Sequence, residues 1–133
     1  MKKTVFLCGP IRGIPRKESF GWRVKATKLL SKKFVAVHAL RNREVRETLP
    51  NLEIVVARDK NDIINSDIVL VNDCFQKASM LGTSMEVFFA YGLNKTVVLF
   101  GSAHEKDYWL NYHSHLRLGN LEEACAFLNK FFA

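Results

Sequence analysis

Short apolar runs alternate along this chain with longer stretches in which apolar residues recur every three or four positions. The runs Thr4-Val5-Phe6-Leu7-Cys8, Phe34-Val35-Ala36-Val37-His38, Ser66-Asp67-Ile68-Val69-Leu70-Val71-Asn72 and Thr96-Val97-Val98-Leu99-Phe100 are apolar at their centres and rich in β-branched residues. That is the pattern of strands covered on both faces. Between them, Ser19 to Ser31 carries Trp22, Ala26, Leu29 and Leu30 on one side, and Leu52 to Ile64 carries Ile54, Ala57 and Ile64 at helical spacing. A third helix opens at Thr83 and ends near Asn94, a residue type that tolerates the left-handed conformation closing a helix. The last helix is signalled by Asn120-x-x-Glu123 and then Ala124, Cys125, Leu128 and Phe131. The charged stretch Leu40 to Pro50 and the stretch Ala103 to Leu118 are expected to be loops.

Strands alternating with helices imply a parallel sheet with helices on both faces, a flavodoxin-like or Rossmann-like α/β fold. The 133 residues show no internal repeat and no linker, so residues 1–133 are expected to form a single domain. Ligands of open α/β sheets bind beyond the carboxyl ends of the strands. Three loops should therefore converge on one functional edge: Gly9 to Arg16, Asn72 to Thr83 and Gly101 to His115.

Composition narrows the class. No apolar run approaches the roughly 20 residues of a membrane span. The opening Met1-Lys2-Lys3 precedes an apolar run that stops at Cys8, so it reads as a first strand and not as a targeting segment. Cys8, Cys74 and Cys125 are odd in number and lie far apart, without a Cys-x-x-Cys pair. They point to a cytoplasmic chain with no metal site, and no cofactor is expected. A net charge of +7 suits small phosphorylated substrates or nucleic acid. The basic residues are scattered and no groove-reading motif is visible, so nucleic acid is not the expected partner, and most of these charges read as solvated surface.

The candidate chemistry centres on Gly82-Thr83-Ser84-Met85-Glu86, which puts a carboxylate near the start of a helix just after a buried strand. Thr83-x-x-Glu86 is also a capping box, and spacing alone favours that structural reading. The loop Cys8-Gly9-Pro10-Ile11-Arg12-Gly13 brings glycines that let backbone approach a ligand and a guanidinium able to grip a phosphate. It has neither the dinucleotide fingerprint nor the Walker spacing, and Gly-Pro after a strand is commonly a plain turn.

Taken in order, Val5-Phe6-Leu7-Cys8-Gly9-Pro10-Ile11-Arg12-Gly13, Arg58-Asp59-x-x-x-Ile63-x-x-Ser66-Asp67 and Gly82-Thr83-Ser84-Met85-Glu86-x-x-x-Ala90 resemble the nucleoside 2-deoxyribosyltransferase family, whose superfamily includes 2-deoxynucleoside 5-monophosphate N-hydrolases. The resemblance covers Thr4 to Phe100. It implies that Glu86 is the catalytic glutamate, attacking the anomeric carbon to form a covalent deoxyribosyl-enzyme, and that Asp59 assists. The bland alternative for Asp59 is a surface ion pair with Arg58 or Lys60. Phe6 stands where the family commonly has a tyrosine, so the hydroxyl that would orient the carboxylate is missing. At Met80 the transferases often carry an aspartate and the monophosphate hydrolases a serine; here Ser79 lies one position away.

The same resemblance implies substrate contacts from Gly9, Ile11, Arg12, Gly13, Gly82 and Thr83, the Ile11-Arg12-Gly13 segment looking like the phosphate-gripping loop of the monophosphate hydrolases; Asn72, by its place at the end of its strand, is a further candidate contact to the sugar. Within Asp107 to His115, Asn111 and His113 are candidate base or sugar contacts; the Trp and Tyr beside them serve equally well as packing at a dimer interface. The expected activity is retaining base exchange on a 2-deoxynucleoside. Hydrolysis of a nucleoside monophosphate and a non-catalytic nucleotide-binding module are the alternatives. A homodimer or larger homo-oligomer is the expected assembly.

Overall fold

The computed structural model describes residues 1–41 and 52–133. Five strands, β1 (Lys3–Cys8), β2 (Phe34–His38), β3 (Ile68–Asn72), β4 (Thr96–Phe100) and β5 (Leu116–Leu118), form one parallel sheet in the order β2-β1-β3-β4-β5. Val5 pairs with Ala36 on one side and Ile68 on the other, so β1 and β3 occupy the centre of the sheet. The helices are α1 (Arg16–Leu30), α2 (Leu52–Ile64), α3 (Leu81–Gly92), α4 (Tyr108–Tyr112) and α5 (Leu121–Phe131).

Strand side chains alternate between faces, and the two faces build two separate cores. Val5, Leu7, Ile68, Leu70, Val98 and Phe100 pack with Trp22, Ala26 and Leu30 of α1 and with Leu121, Ala124, Cys125 and Leu128 of α5. Phe6, Cys8, Val69, Val71, Val97 and Leu99 pack against Ile63 of α2, Val87 and Ala90 of α3 and Leu110 of α4. β3 is buried at every residue, as its unbroken apolar run requires.

Several elements differ from the expectation. The stretch 103–118 is not a loop throughout, since it holds α4 and β5. β5 is only three residues long and interrupted by Arg117, so it carries little pattern of its own; it exists because it pairs with β4, Leu99 lying opposite Arg117. α1 starts at Arg16, before Ser19, with the Pro15 carbonyl accepting from the Glu18 and Ser19 amides at 3.0 Å. Leu29 is largely exposed while Arg23 is buried. On α2 the buried residues are Asp62 and Ile63, whereas Ile54, Ala57 and Ile64 are exposed. The helix begins Leu52-Glu53-Ile54-Val55-Val56-Ala57, apolar nearly all round, so spacing does not select a face. Asp62 fixes the rotation by taking a bidentate pair from Arg41 at 2.6 and 2.9 Å. Of the loop expected over 40–50, residues 42–50 lie outside the described residues.

Asn94 has φ 60, the left-handed closure its residue type suggested. Asn120 caps α5, its side chain accepting from the Glu123 amide at 2.8 Å. Glu123 reaches back one residue further than a simple capping box, accepting from the Gly119 amide at 3.1 Å. Among the described residues no helix is long and apolar enough to cross a membrane.

Candidate active site

The strand order reverses direction between β1 and β3, and in doubly wound sheets that switch point opens a crevice at the carboxyl ends of the strands. A cavity of about 900 Å³ lies there, on the α2 and α3 side of the sheet. Gly9 to Arg12 of the loop after β1 form its floor and rim, Ser79 and Leu81 to Glu86 one wall, and Val55, Val56, Asp59, Lys60 and Ile63 of α2 the facing wall. Phe88, Phe89, Trp109 and His113 complete an aromatic side.

Close packing at the switch point explains the glycine there. A Cβ on Gly9 would come within 2.9 Å of Trp22 Cζ2 and 3.2 Å of Asn72 Cβ. The chain therefore turns directly over the end of β3 only because this position has no side chain. Behind the turn, the buried Arg23 guanidinium donates to the Gly9 carbonyl at 2.8 Å and to the Ser19 carbonyl at 2.8 Å, and lies over the Trp22 ring. The opposite wall is tied to this loop where the Ser79 amide donates to the Arg12 carbonyl at 3.4 Å.

Glu86 sits in the second turn of α3, its side chain half-buried at the base of the cavity. The capping box does not form. α3 begins at Leu81 with Met80 as its N-cap residue and no side-chain cap. Thr83 is therefore inside the first turn and buried, and Glu86 is free to point elsewhere. Its Oε1 accepts from the Cys8 thiol at 3.4 Å, and Asp59 of α2 lines the same cavity near enough for its charge to act on Glu86. Burial, and then the Asp59 charge, push the Glu86 carboxyl up to about 7; the Cys8 hydrogen bond and the nearby Arg23 charge oppose that rise. Asp59 thus faces Glu86, while Arg58 donates to the Arg41 carbonyl and Lys60 lies over the Phe89 ring.

The other candidates divide. Gly9, Ile11, Arg12, Ser79, Gly82, Thr83 and His113 line the same cavity as Glu86 and Asp59. Phe6, Gly13, Asn72, Met80 and Asn111 do not. Phe6 is fully buried in the core beneath α2 and α3, with Met80 packed against that core. Gly13 lies against Ala78, and the Asn72 side chain accepts from the Cys74 amide at 2.9 Å. Asn111 is taken up by the Glu105 carbonyl and by Arg117, at 2.6 and 2.9 Å. The residue missed by sequence reasoning is Cys8. Its signal was the pleat, because Cys8 lies two positions after Phe6 and so on the same face, one step nearer the carboxyl edge. Phe88, Phe89 and, on α2, Val55, Val56, Lys60 and Ile63 were missed as well, since they reach the cavity through helix rotation.

Trp109 and His113 stack almost parallel, 5.7 Å apart and 8° from coplanar, with Phe88 edge-on to His113 at 5.0 Å. His113 Nδ1 is engaged by the Trp109 carbonyl at 2.7 Å, which fixes the ring in this arrangement. The site thus combines a paired carboxylate, a cationic rim and apolar flat walls. Among the described residues no cluster of side chains suited to a metal ion occurs.

A parallel five-stranded sheet with a carboxylate pair at its switch point defines a flavodoxin-like α/β class of protein. Within that class the chain has the fold of the 2-deoxyribosyltransferases. A 2-deoxyribosyltransferase from Bacillus psychrosaccharolyticus superposes with a TM-score of 0.70 at 20% identity over 91% of this chain and 89% of its own. The Leishmania mexicana enzyme of the same name gives 0.74 at 15% identity, over 98% of this chain and 99% of its own. A CMP N-glycosidase from Clostridium botulinum gives 0.66 at 17% identity, over 98% and 100%. No protein-family model and no curated protein sequence matches the chain.

Proposed function

We propose that this chain cleaves the N-glycosidic bond of a 2-deoxynucleoside with retention and passes the sugar to a second base, through a covalent intermediate on Glu86. The observation that carries this reading is the meeting of two carboxyls, Glu86 and Asp59, in one apolar-walled cavity at the switch point. Burial and the Asp59 charge push the Glu86 carboxyl up to about 7, so Glu86 is in part ionised near neutrality. In the reactive form Glu86 is ionised and Asp59 carries a proton, and Glu86 attacks C1′. The C1′–N bond breaks, its electron pair goes to the base, and the Asp59 proton neutralises the departing nitrogen. The incoming base then attacks C1′ from the face the first one left, releases Glu86, and returns a proton to Asp59. The carboxylate also stabilises the oxocarbenium-like charge in both steps. Phe88, Trp109 and His113 offer flat surfaces for a base.

The second reading is hydrolysis of a 2-deoxynucleoside 5-monophosphate, with water as acceptor. It is favoured by Arg12, Ser79 and Ser84 on the cavity rim and by the first turn of α3, which has no side-chain cap to compete for its amides. Exposed Val56, Leu81, Met85 and Trp109 line the cavity and support a homo-oligomer in which a second copy covers this face. The free thiols fit a reducing cytoplasm.

The test is a chromatographic time course with a 2-deoxynucleoside, its 5-monophosphate and a foreign free base, run beside Glu86→Ala. A new nucleoside carrying the foreign base, absent with the variant, is the expected result. Free base and sugar phosphate without exchange would select the hydrolase. No turnover of either substrate would overturn both.

A further inference from the structure

Cys8 closes β1 at the switch point, and its side chain points to the α2 and α3 face where the cavity lies. It is buried, with Sγ 3.4 Å from Glu86 Oε1 and 3.9 Å from the Thr83 carbonyl one turn earlier in α3. Carbonyl and carboxylate both accept, so the thiol is the donor to either. At 3.4 Å the carboxylate is the closer acceptor and the charged one, and charge-assisted bonds are the stronger. Burial and the Glu86 charge also hold the thiol well above its usual range, which keeps the proton on sulfur.

We propose that Cys8 is the positioning residue for Glu86: its S–H donates to Oε1 and fixes the rotation and ionised form of the carboxylate. The proposal deepens the functional reading above and rests on Glu86 being the reacting group. No other side chain of β1 supplies this contact, because Phe6 on the same face has no polar atom and Val5 and Leu7 face the opposite core. The groups facing Glu86 act in two directions. Cys8 from β1 and Arg23 from α1 favour the ionised form, whereas Asp59 from α2 and burial oppose it. Arg12, Lys60 and His113 line the same cavity from the β1 loop, α2 and the end of α4. Of these two supporting groups, Cys8 is the one that touches the carboxylate, through its 3.4 Å hydrogen bond. Removing it leaves Asp59 and burial less opposed, so Glu86 should bind its proton at higher pH. A hydroxyl in the same place is a better donor than a thiol and should act in the wild-type direction.

The experiment titrates Glu86 directly. Protein labelled with carboxyl-¹³C glutamate is followed by NMR against pH, the Glu86 resonance being assigned by its loss in Glu86→Gln. Cys8→Ala should move the Glu86 midpoint up by about half to one pH unit, and Cys8→Ser should bring it back to the wild-type value or below. The acidic limb of kcat against pH should move by the same amount while KM stays within twofold. If Cys8→Ala does not fold, Cys8→Val fills the volume without a donor and carries the same expectation. A midpoint unchanged in the folded donor-less variant overturns the proposal. A shifted midpoint in a protein that turns over neither nucleoside nor nucleotide upholds the Cys8–Glu86 coupling and defeats the functional reading, so the two failures are separable.

Discussion

Arg117 Nη1 lies 2.7 Å from Asp73 Oδ2, so a residue of the short strand β5 is clamped to the end of β3, two strands away. The Asp73 side chain is completely buried, and its other oxygen lies 2.6 Å from His104 Nδ1. Arg117 also donates to the Gly101 carbonyl at 2.7 Å and to Asn111 at 2.9 Å. The Ala103 amide donates to the Asp73 carbonyl, completing a cross-brace over the carboxyl edge from β3 to β5. Removing one partner of such a buried pair leaves the other charge uncompensated. Arg117→Ala should therefore lower the unfolding free energy by about 3 kcal/mol. Urea denaturation measures it, and a loss below about 1 kcal/mol would show that His104 and the backbone suffice to hold Asp73.

Glu86 makes stability and chemistry pull apart. Its carboxyl is raised to about 7, from 4.5 in the unfolded chain, so between those values the folded state binds more protons than the unfolded one. Stability then falls as pH rises through that window, and the loss is complete above it. Glu86→Gln abolishes the titration. The variant should equal the wild type near pH 4 and exceed it at pH 8 by roughly 1–3 kcal/mol. Urea midpoints across that range check this; parallel pH curves for the two proteins would show that Glu86 titrates normally.

Gly9 marks where the loop after β1 touches both α1 and β3. A Cβ placed 2.9 Å from Trp22 Cζ2 and 3.2 Å from Asn72 Cβ forces the Trp22 ring or the loop to shift. Gly9→Ala should cost about 1–3 kcal/mol, the range of overpacking in a tight site. Because Arg23 holds the same Gly9 carbonyl, the shift should carry Arg12 with it and raise KM. Thermal denaturation and KM together test this, and a variant with unchanged values for both would mean that the Trp22 ring yields freely.

What the sequence discloses follows from where pattern and environment agree. β3 is legible because Ile68 to Val71 is apolar on both faces and is in fact covered on both. The carboxyl-edge position of Glu86 is legible for the same reason, since a strand, a loop and a helix start are all marked between Ser66 and Glu86. α2 is misread because its first turns are apolar nearly all round, Glu53 apart, and its rotation is decided by the Asp62 pair with Arg41, a contact from another part of the chain. β5 escapes because three residues with Arg117 in the middle have no periodicity, and the strand is defined by β4. The Thr83 capping box fails since helical residues Leu81 and Gly82 precede it, moving the N-cap back to Met80. Cys8 escapes because a thiol in an apolar run reads as core until a carboxylate is found beside it.

Trp109 is 70% exposed and packs on His113 and Phe88, so its removal deletes few buried contacts. Surface substitutions of this kind change stability by about half a kcal/mol or less. Its ring nevertheless forms part of the cavity lining, with Glu86 and Asp59 at the base. If the aromatic side receives the base, Trp109→Ala removes a stacking surface whose loss costs about 1–3 kcal/mol, equivalent to a rise in KM of roughly fivefold to more than a hundredfold. The expected signature is a near-native melting temperature with a raised KM and a largely retained kcat, because the carboxylates are untouched. Trp109→Phe should recover most of the loss. Steady-state kinetics on the three proteins decides the matter, and a KM unaltered by Trp109→Ala would assign this aromatic side to contact with a second copy of the chain instead of with substrate.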